Sequence, residues 1–271
     1  MKSVYSFILS ALFIQSAYSQ TTAVEYYNNA ITKASGNNFK EALADINKAI
    51  ELMPDFAEAY CNRALITGIL YADYASQIKD YDMAIKYKPD FAEAYCNRGI
   101  AKSNLKNDKE ALDDIEHALK IDPGYAEAYC SRGDIKLKTG DYKGALKDYT
   151  WTIRIEPKSL RAYINRAIAN DNLKEYKNAL RDYDKVIEMR PDYAPSYAYR
   201  GILKMETEDY RSAIKDFDKT IELNPNDSQS YVNRGIAKYN AGDEKGGCTD
   251  LHKAETMGSK KAEDAIEKYC K

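Results

Sequence analysis

Histidine is nearly absent from this chain: His117 and His252 are the only two among 271 residues. Both fall on surface positions of the helices read below, so an imidazole base or a histidine-built metal centre has little to draw on. No nucleophile and base pairing, glycine-rich phosphate loop or metal-ligand spacing emerges elsewhere, so the sequence is that of a protein that is not an enzyme, with no cofactor and no metal. An excess of one charge is also missing. Forty Lys and Arg stand against 42 Asp and Glu, a formal net charge of −2. No overall field draws the chain to nucleic acid or to anionic lipid, and a polyanion partner is disfavoured.

Long apolar runs are missing after the first twenty residues, which excludes a membrane span there. The amino end differs in kind. Lys2 gives a positive start, Val4 to Ile14 is a mostly apolar run, and Ala17, Tyr18 and Ser19 put small residues where a signal peptidase cuts. This reads as a cleaved secretory signal over residues 1–19, with the mature chain starting near Gln20 and exported to a periplasmic or extracellular space. The apolar run is too short to span comfortably as an anchor, so no stable membrane insertion is expected after cleavage.

What the chain has in abundance is itself. Tyr26, Tyr60, Tyr95, Tyr129, Tyr163, Tyr197 and Tyr231 recur at intervals of 34 residues, lengthened to 35 once, and Pro54, Pro89, Pro123, Pro157, Pro191 and Pro225 close the same units. A period of that size indicates a solenoid whose units pack mainly on their neighbours. In the copy starting at Ala92, a helix A to about Leu105, a turn at Lys106 to Asp108 and a helix B from about Lys109 to Ile121 carry apolar and small residues at helical spacing. Two helices joined by a short turn form an antiparallel hairpin, and the closing proline stops helix B.

Numbered from the start of each unit, position 4 is Tyr throughout and position 8 is Gly or Ala: Ala30, Ala64, Gly99, Gly133, Ala167, Gly201 and Gly235. Position 20 is Ala42, Gln77, Ala111, Ala145, Ala179, Ala213 and Gly247. This pattern resembles the tetratricopeptide repeat over residues 23–259. The resemblance implies an all-α, right-handed solenoid of seven helical hairpins, with residues 260–271 as a capping helix over the last apolar surface. Small residues are needed at positions 8 and 20 because helices A and B cross closely there. Gln77 is bulky for such a crossing, and one residue is inserted near Leu70 to Asp73, so the second unit should be irregular.

Position 23 is Asp in every unit (Asp45, Asp80, Asp114, Asp148, Asp182, Asp216 and Asp250), and position 7 is Arg in the last six (Arg63, Arg98, Arg132, Arg166, Arg200 and Arg234). The first unit has Asn29 instead. If each Asp paired with the Arg 18 residues later, the missing Arg would belong to the only unit without a predecessor. That reasoning predicts structural pairs between units: Asp45 with Arg63, Asp80 with Arg98, Asp114 with Arg132, Asp148 with Arg166, Asp182 with Arg200 and Asp216 with Arg234.

Five cysteines in an exported chain need accounting. Cys61, Cys96 and Cys130 hold one slot in consecutive units, and packed helices about 8 to 10 Å apart leave them too distant for a bridge. Cys248 and Cys270 fall on the last helix B and the terminal helix, where either a capping disulfide or two core thiols would fit.

The resemblance further implies that helix A lines a concave groove. Position 6 there reads Asn28, Asn62, Asn97, Ser131, Asn165, Tyr199 and Asn233. An Asn offers a donor and an acceptor to the backbone of an extended peptide, similar to the asparagine ladder of O-linked N-acetylglucosamine transferases; it is also simply a favoured residue at this slot. Adaptors of heat-shock chaperones grip a terminal carboxylate with Lys or Arg on helix A, but position 2 here runs Glu58, Glu93 and Glu127, and only Arg161 with Asn165 resembles a fragment of that clamp. Tyr199 beside Ile202 is the expected anchor. The implied function is a scaffold binding a protein or peptide, as an extended strand or a partner's helix, with a non-protein ligand such as a glycan as the alternative. Met83, His117 and Trp151 replace the usual Lys of an outward position and form a second candidate surface. Oligomeric state has no signature in the sequence.

Overall fold

The computed structural model describes residues 20–270; the signal segment read over residues 1–19 lies outside them. Fifteen α-helices and no strand occur among the described residues. They are α1 (20–35), α2 (Phe39–Leu52), α3 (Ala57–Tyr71), α4 (Tyr74–Tyr87), α5 (Ala92–Asn104), α6 (Asp108–Ile121), α7 (Ala126–Thr139) and α8 (Tyr142–Ile155). There follow α9 (Leu160–Asn172), α10 (Tyr176–Met189), α11 (Ala194–Glu206), α12 (Tyr210–Leu223), α13 (Ser228–Asn240), α14 (Glu244–Thr256) and α15 (Lys260–Tyr269). The chain divides into two compact units, residues 1–135 and 136–271, the division falling within α7.

In the first unit the hairpins α3/α4 and α5/α6 are continuous with α2 through the pairings α2·α3 and α4·α5. Its core holds Ile46, Tyr81 and Ile115, all essentially inaccessible, together with the small residues of the helix crossings. In the second unit the hairpins α9/α10, α11/α12 and α13/α14 stack in order, and α15 packs on α13 and α14. Ala262 and Ala265 of α15 join Val232 and Leu251 in one apolar cluster, which gives the terminal helix the capping contact its alternation of small and charged residues suggests. Cys248 and Cys270 are joined in a disulfide that ties the end of α15 to α14, whereas Cys61, Cys96 and Cys130 are free and buried.

Local chemistry explains the hairpins. Helix A ends on a left-handed residue: Asn37, Lys106, Lys174 and Glu208 adopt positive φ there, and Gly140 and Gly242 take the same slot without a Cβ penalty. Asp73, Asp141, Asp209 and Asp243 then cap helix B by accepting from the backbone N–H three residues on. The close crossing is real. A Cβ on Gly99 would lie 2.8 Å from both the Ala111 carbonyl oxygen and Ile115 Cγ1. In the second repeat the bulky Gln77 is accommodated by Gly68, whose missing side chain leaves room for the buried amide.

Candidate functional site

Position 7 of helix A is held by charge, but not as the spacing suggests. Arg98 Nε and Nη2 donate to both carboxylate oxygens of Asp114, at 2.8 and 2.6 Å. Arg63 grips Asp80 in the same way, Arg166 grips Asp182, Arg200 grips Asp216 and Arg234 grips Asp250. Each pair lies within one hairpin. The expected pairs Asp45–Arg63, Asp80–Arg98, Asp182–Arg200 and Asp216–Arg234 are therefore overturned, as is Asp148–Arg166, because Arg166 is committed to Asp182. The physical reason is the antiparallel hairpin: positions 7 and 23 lie equally far from the turn, so they meet at one height. The exceptional Asn29 has a different explanation as well, since Asp45 takes Lys33 Nζ at 2.6 Å. Lys102, Lys136, Lys204 and Lys238, at the same position 11, reach Asp114, Asp148, Asp216 and Asp250. For Arg132, the contact among those described is its guanidinium over the Tyr129 ring.

Successive hairpins are tied by a residue the sequence reasoning overlooked. The remaining nitrogen of the arginine, Nη1, reaches back to position 25 of the preceding helix B: Arg98 to Asp82 and Arg200 to Asp184 at 2.6 Å, and Arg234 to Asp218 at 2.7 Å. Asn47 and Thr150 stand at that position opposite Arg63 and Arg166, at 3.0 and 3.3 Å. Hydrogen bonding to the carboxylate raises the pKa of Arg63, Arg166 and Arg234. For Arg98 and Arg200 burial opposes the charge, and the bonds to two aspartates outweigh it. These groups fix the hairpins, and in Arg98, Arg200 and Arg234 all three nitrogens are spent on carboxylates in doing so.

The helix A face expected to meet a ligand is less uniform than a ladder. Asn62 Nδ2 donates to the Tyr27 hydroxyl and the Glu58 carbonyl, and Asn233 Oδ1 accepts from Gln229 Nε2, while Asn97 is half-buried. Ser131 is buried with its hydroxyl on Glu127, so its placement in a ligand contact is a correction. Cys61 is pushed up to about 12 by burial and then by Glu93, so it is an uncharged lining group rather than a nucleophile. Asn28 is exposed. On α11, Tyr199 and Ile202 remain 46% and 38% exposed, with the Tyr199 ring stacked 6.0 Å from Tyr183. A depression of about 420 Å³ is lined by Leu160, Arg161, Ile164 and Asn165 of α9 and by Arg190 and Tyr193 of the connection to α11. Of the second candidate surface, Met83 packs against the core, whereas His117, its ring on Tyr95, and Trp151, under the Arg154 guanidinium, are exposed. Among the described residues no acidic, cysteine and histidine cluster could hold a metal, and no helix is long and apolar enough to cross a membrane.

The tetratricopeptide repeat family pattern matches residues 92–125, 126–158, 160–193 and 194–227. These are tetratricopeptide repeats. The matched stretches coincide with the hairpins α5/α6, α7/α8, α9/α10 and α11/α12. A tetratricopeptide repeat protein of Parabacteroides merdae is similar over 92% of this chain and 97% of its own, at 21% identity and a TM-score of 0.63. The C-terminal part of a repeat protein of Cytophaga hutchinsonii is similar over 89% and 99%, at 20% identity and a TM-score of 0.69. YrrB, described as a repeat protein with an unusual peptide-binding site, is similar over 68% and 95%, at 23% identity and a TM-score of 0.57. At these identities the likeness is one of fold. No curated protein sequence matches the chain. Tetratricopeptide proteins are in general non-catalytic scaffolds for protein interaction, and that coarse function is the one the repeats carry.

Proposed function

We propose that this protein is an exported tetratricopeptide scaffold that binds an extended peptide or a partner's helix on the helix A face of its repeats. In this reading the hairpins from residue 23 to 259 form one array of seven repeats behind a cleaved signal, and residues 260–271 cap it. The observation that carries the reading is the exposure of the apolar side chains Tyr199 and Ile202 on α11. Exposed apolar side chains, and a recess of the same unit lined by Ile164, Asn165 and Arg161, supply the kinds of group found at the anchors and rim of a peptide site. The amides of Asn62 and Asn233 each spend part of their hydrogen-bonding capacity inside the protein, so affinity would rest on the apolar anchors more than on an amide ladder.

A pull-down from envelope extract with wild type and a Tyr199→Ala, Ile202→Ala protein tests it. Loss of a specific protein band in the variant, with unchanged helical content, is the expected result. A band captured equally by both proteins would move the contact elsewhere.

A further inference from the structure

A second recess lies between α8, α9 and α10, where two charges of the repeat pattern are replaced by shorter neutral groups. Elsewhere in this unit the position 25 aspartates Asp184 and Asp218 occupy Nη1 of Arg200 and Arg234, and Lys204 and Lys238 sit on Asp216 and Asp250. Around Arg166 both occupants are gone. Thr150 stands for the aspartate and meets Nη1 at only 3.3 Å, and Asn170 stands for the lysine. What remains is a pocket of about 340 Å³ whose lining includes Thr150, Arg166, Asn170, Asn178 and Arg181.

The pocket is chemically one-sided. Asn170 is only 6% exposed, its side chain has no hydrogen-bond partner among the described residues, and the surface it keeps opens into this recess. Arg181 and Asn178 are exposed at the rim and likewise carry no side-chain partner. Two guanidinium groups face one carboxylate, Asp182, whose two oxygens are already taken by Arg166 Nε and Nη2. The Asn170 amide reaches the recess without a protein partner, and a set of N–H donors with surplus positive charge is what an oxyanion requires. In the second repeat, which also lacks both charged groups, Asn47 Oδ1 accepts from Arg63 Nη1 at 3.0 Å, and the Thr67 hydroxyl donates back to its own helix.

We infer that this pocket binds a small oxyanion, the phosphate or carboxylate group of a small molecule, held by Arg181, Arg166 Nη1 and the amides of Asn170 and Asn178. The site shares no residue with the Tyr199 and Ile202 surface or with the recess at Asn165, and its failure would leave the scaffold reading untouched.

The test is a nuclear magnetic resonance titration of the full mature chain with inorganic phosphate and, separately, acetate, following the Asn170 and Asn178 side-chain amides and Arg166 Nε. Two variants accompany it. Thr150→Asp with Asn170→Lys rebuilds the network seen around Arg200 and should fold as its neighbours do; Arg181→Gln alters only an exposed, unpaired side chain. Saturable shifts at these groups in wild type, with affinity lowered at least tenfold in the rebuilt protein and at least fivefold in Arg181→Gln, are the expected result. Phosphate binding tighter than acetate would assign a phosphorylated ligand, and the reverse a carboxylate. Absence of saturable shifts with either anion in wild type, or wild-type affinity in either variant, would overturn the inference.

Discussion

Arg98 shows how one side chain serves two contacts. Its fork closes on Asp114 within the hairpin and its third nitrogen reaches Asp82 of the hairpin before, while the side chain keeps only 16% of its surface. Removing it leaves Asp114, 7% exposed, with Lys102 alone. Breaking such a pair from one side strands a buried charge, and Arg98→Ala should lower stability by about 3 kcal/mol in urea unfolding. Lys33→Ala removes the ion-pair partner of Asp45, but both groups are wetter and the shift should be far smaller. Equal midpoints for Arg98→Ala and wild type would show that the network contributes little. The residue types of this network are legible in the sequence, but their pairing is not. Each central Arg has an Asp 16 residues ahead and another 18 behind, and linear spacing cannot choose between them. The hairpin chooses, because both partners must lie at one height above the turn. Counting outward from the turn, rather than arguing from the lone Asn29, would have found it.

At the scale of the element, the hairpins are closed by small residues whose absence of bulk is as specific as any contact. Gly99 on α5 meets the Ala111 carbonyl and Ile115 on α6 with no room for a methyl group. Gly99→Ala gains about 1 kcal/mol of helix propensity and loses about 1–3 kcal/mol to overpacking, so a net loss on the order of 1 kcal/mol is expected in thermal or urea unfolding. A stabilised variant would mean that α5 and α6 are free to separate. The helices, their turns and this crossing are read directly from periodicity, because local sequence decides them. The accommodation of Gln77 is not, since it depends on Gly68, a position outside the usual repeat pattern that becomes meaningful only once the two helices are laid together. The same holds for the pocket at Arg166, which arises from what Thr150 and Asn170 fail to fill.

For the whole molecule, the repeats give the fold whose members are in general scaffolds for protein interaction, and a disulfide ties the terminal helix to it. Of the groove residues named from the sequence, Tyr199 and Ile202 are exposed as expected, Asn62 and Asn233 are partly engaged, and Ser131 is buried. Sequence register places a side chain on a face, but whether its hydrogen bonds are spent there depends on neighbours such as Tyr27 and Gln229. The most direct test of the account is to place a photoreactive phenylalanine analogue at Tyr199 on the helix A face, and at Lys219, which is paired with Glu222 on α12, and irradiate each protein in envelope extract. A discrete protein adduct formed from position 199 and absent from position 219 is predicted. Adducts from position 219 alone, or none from position 199, would contradict it.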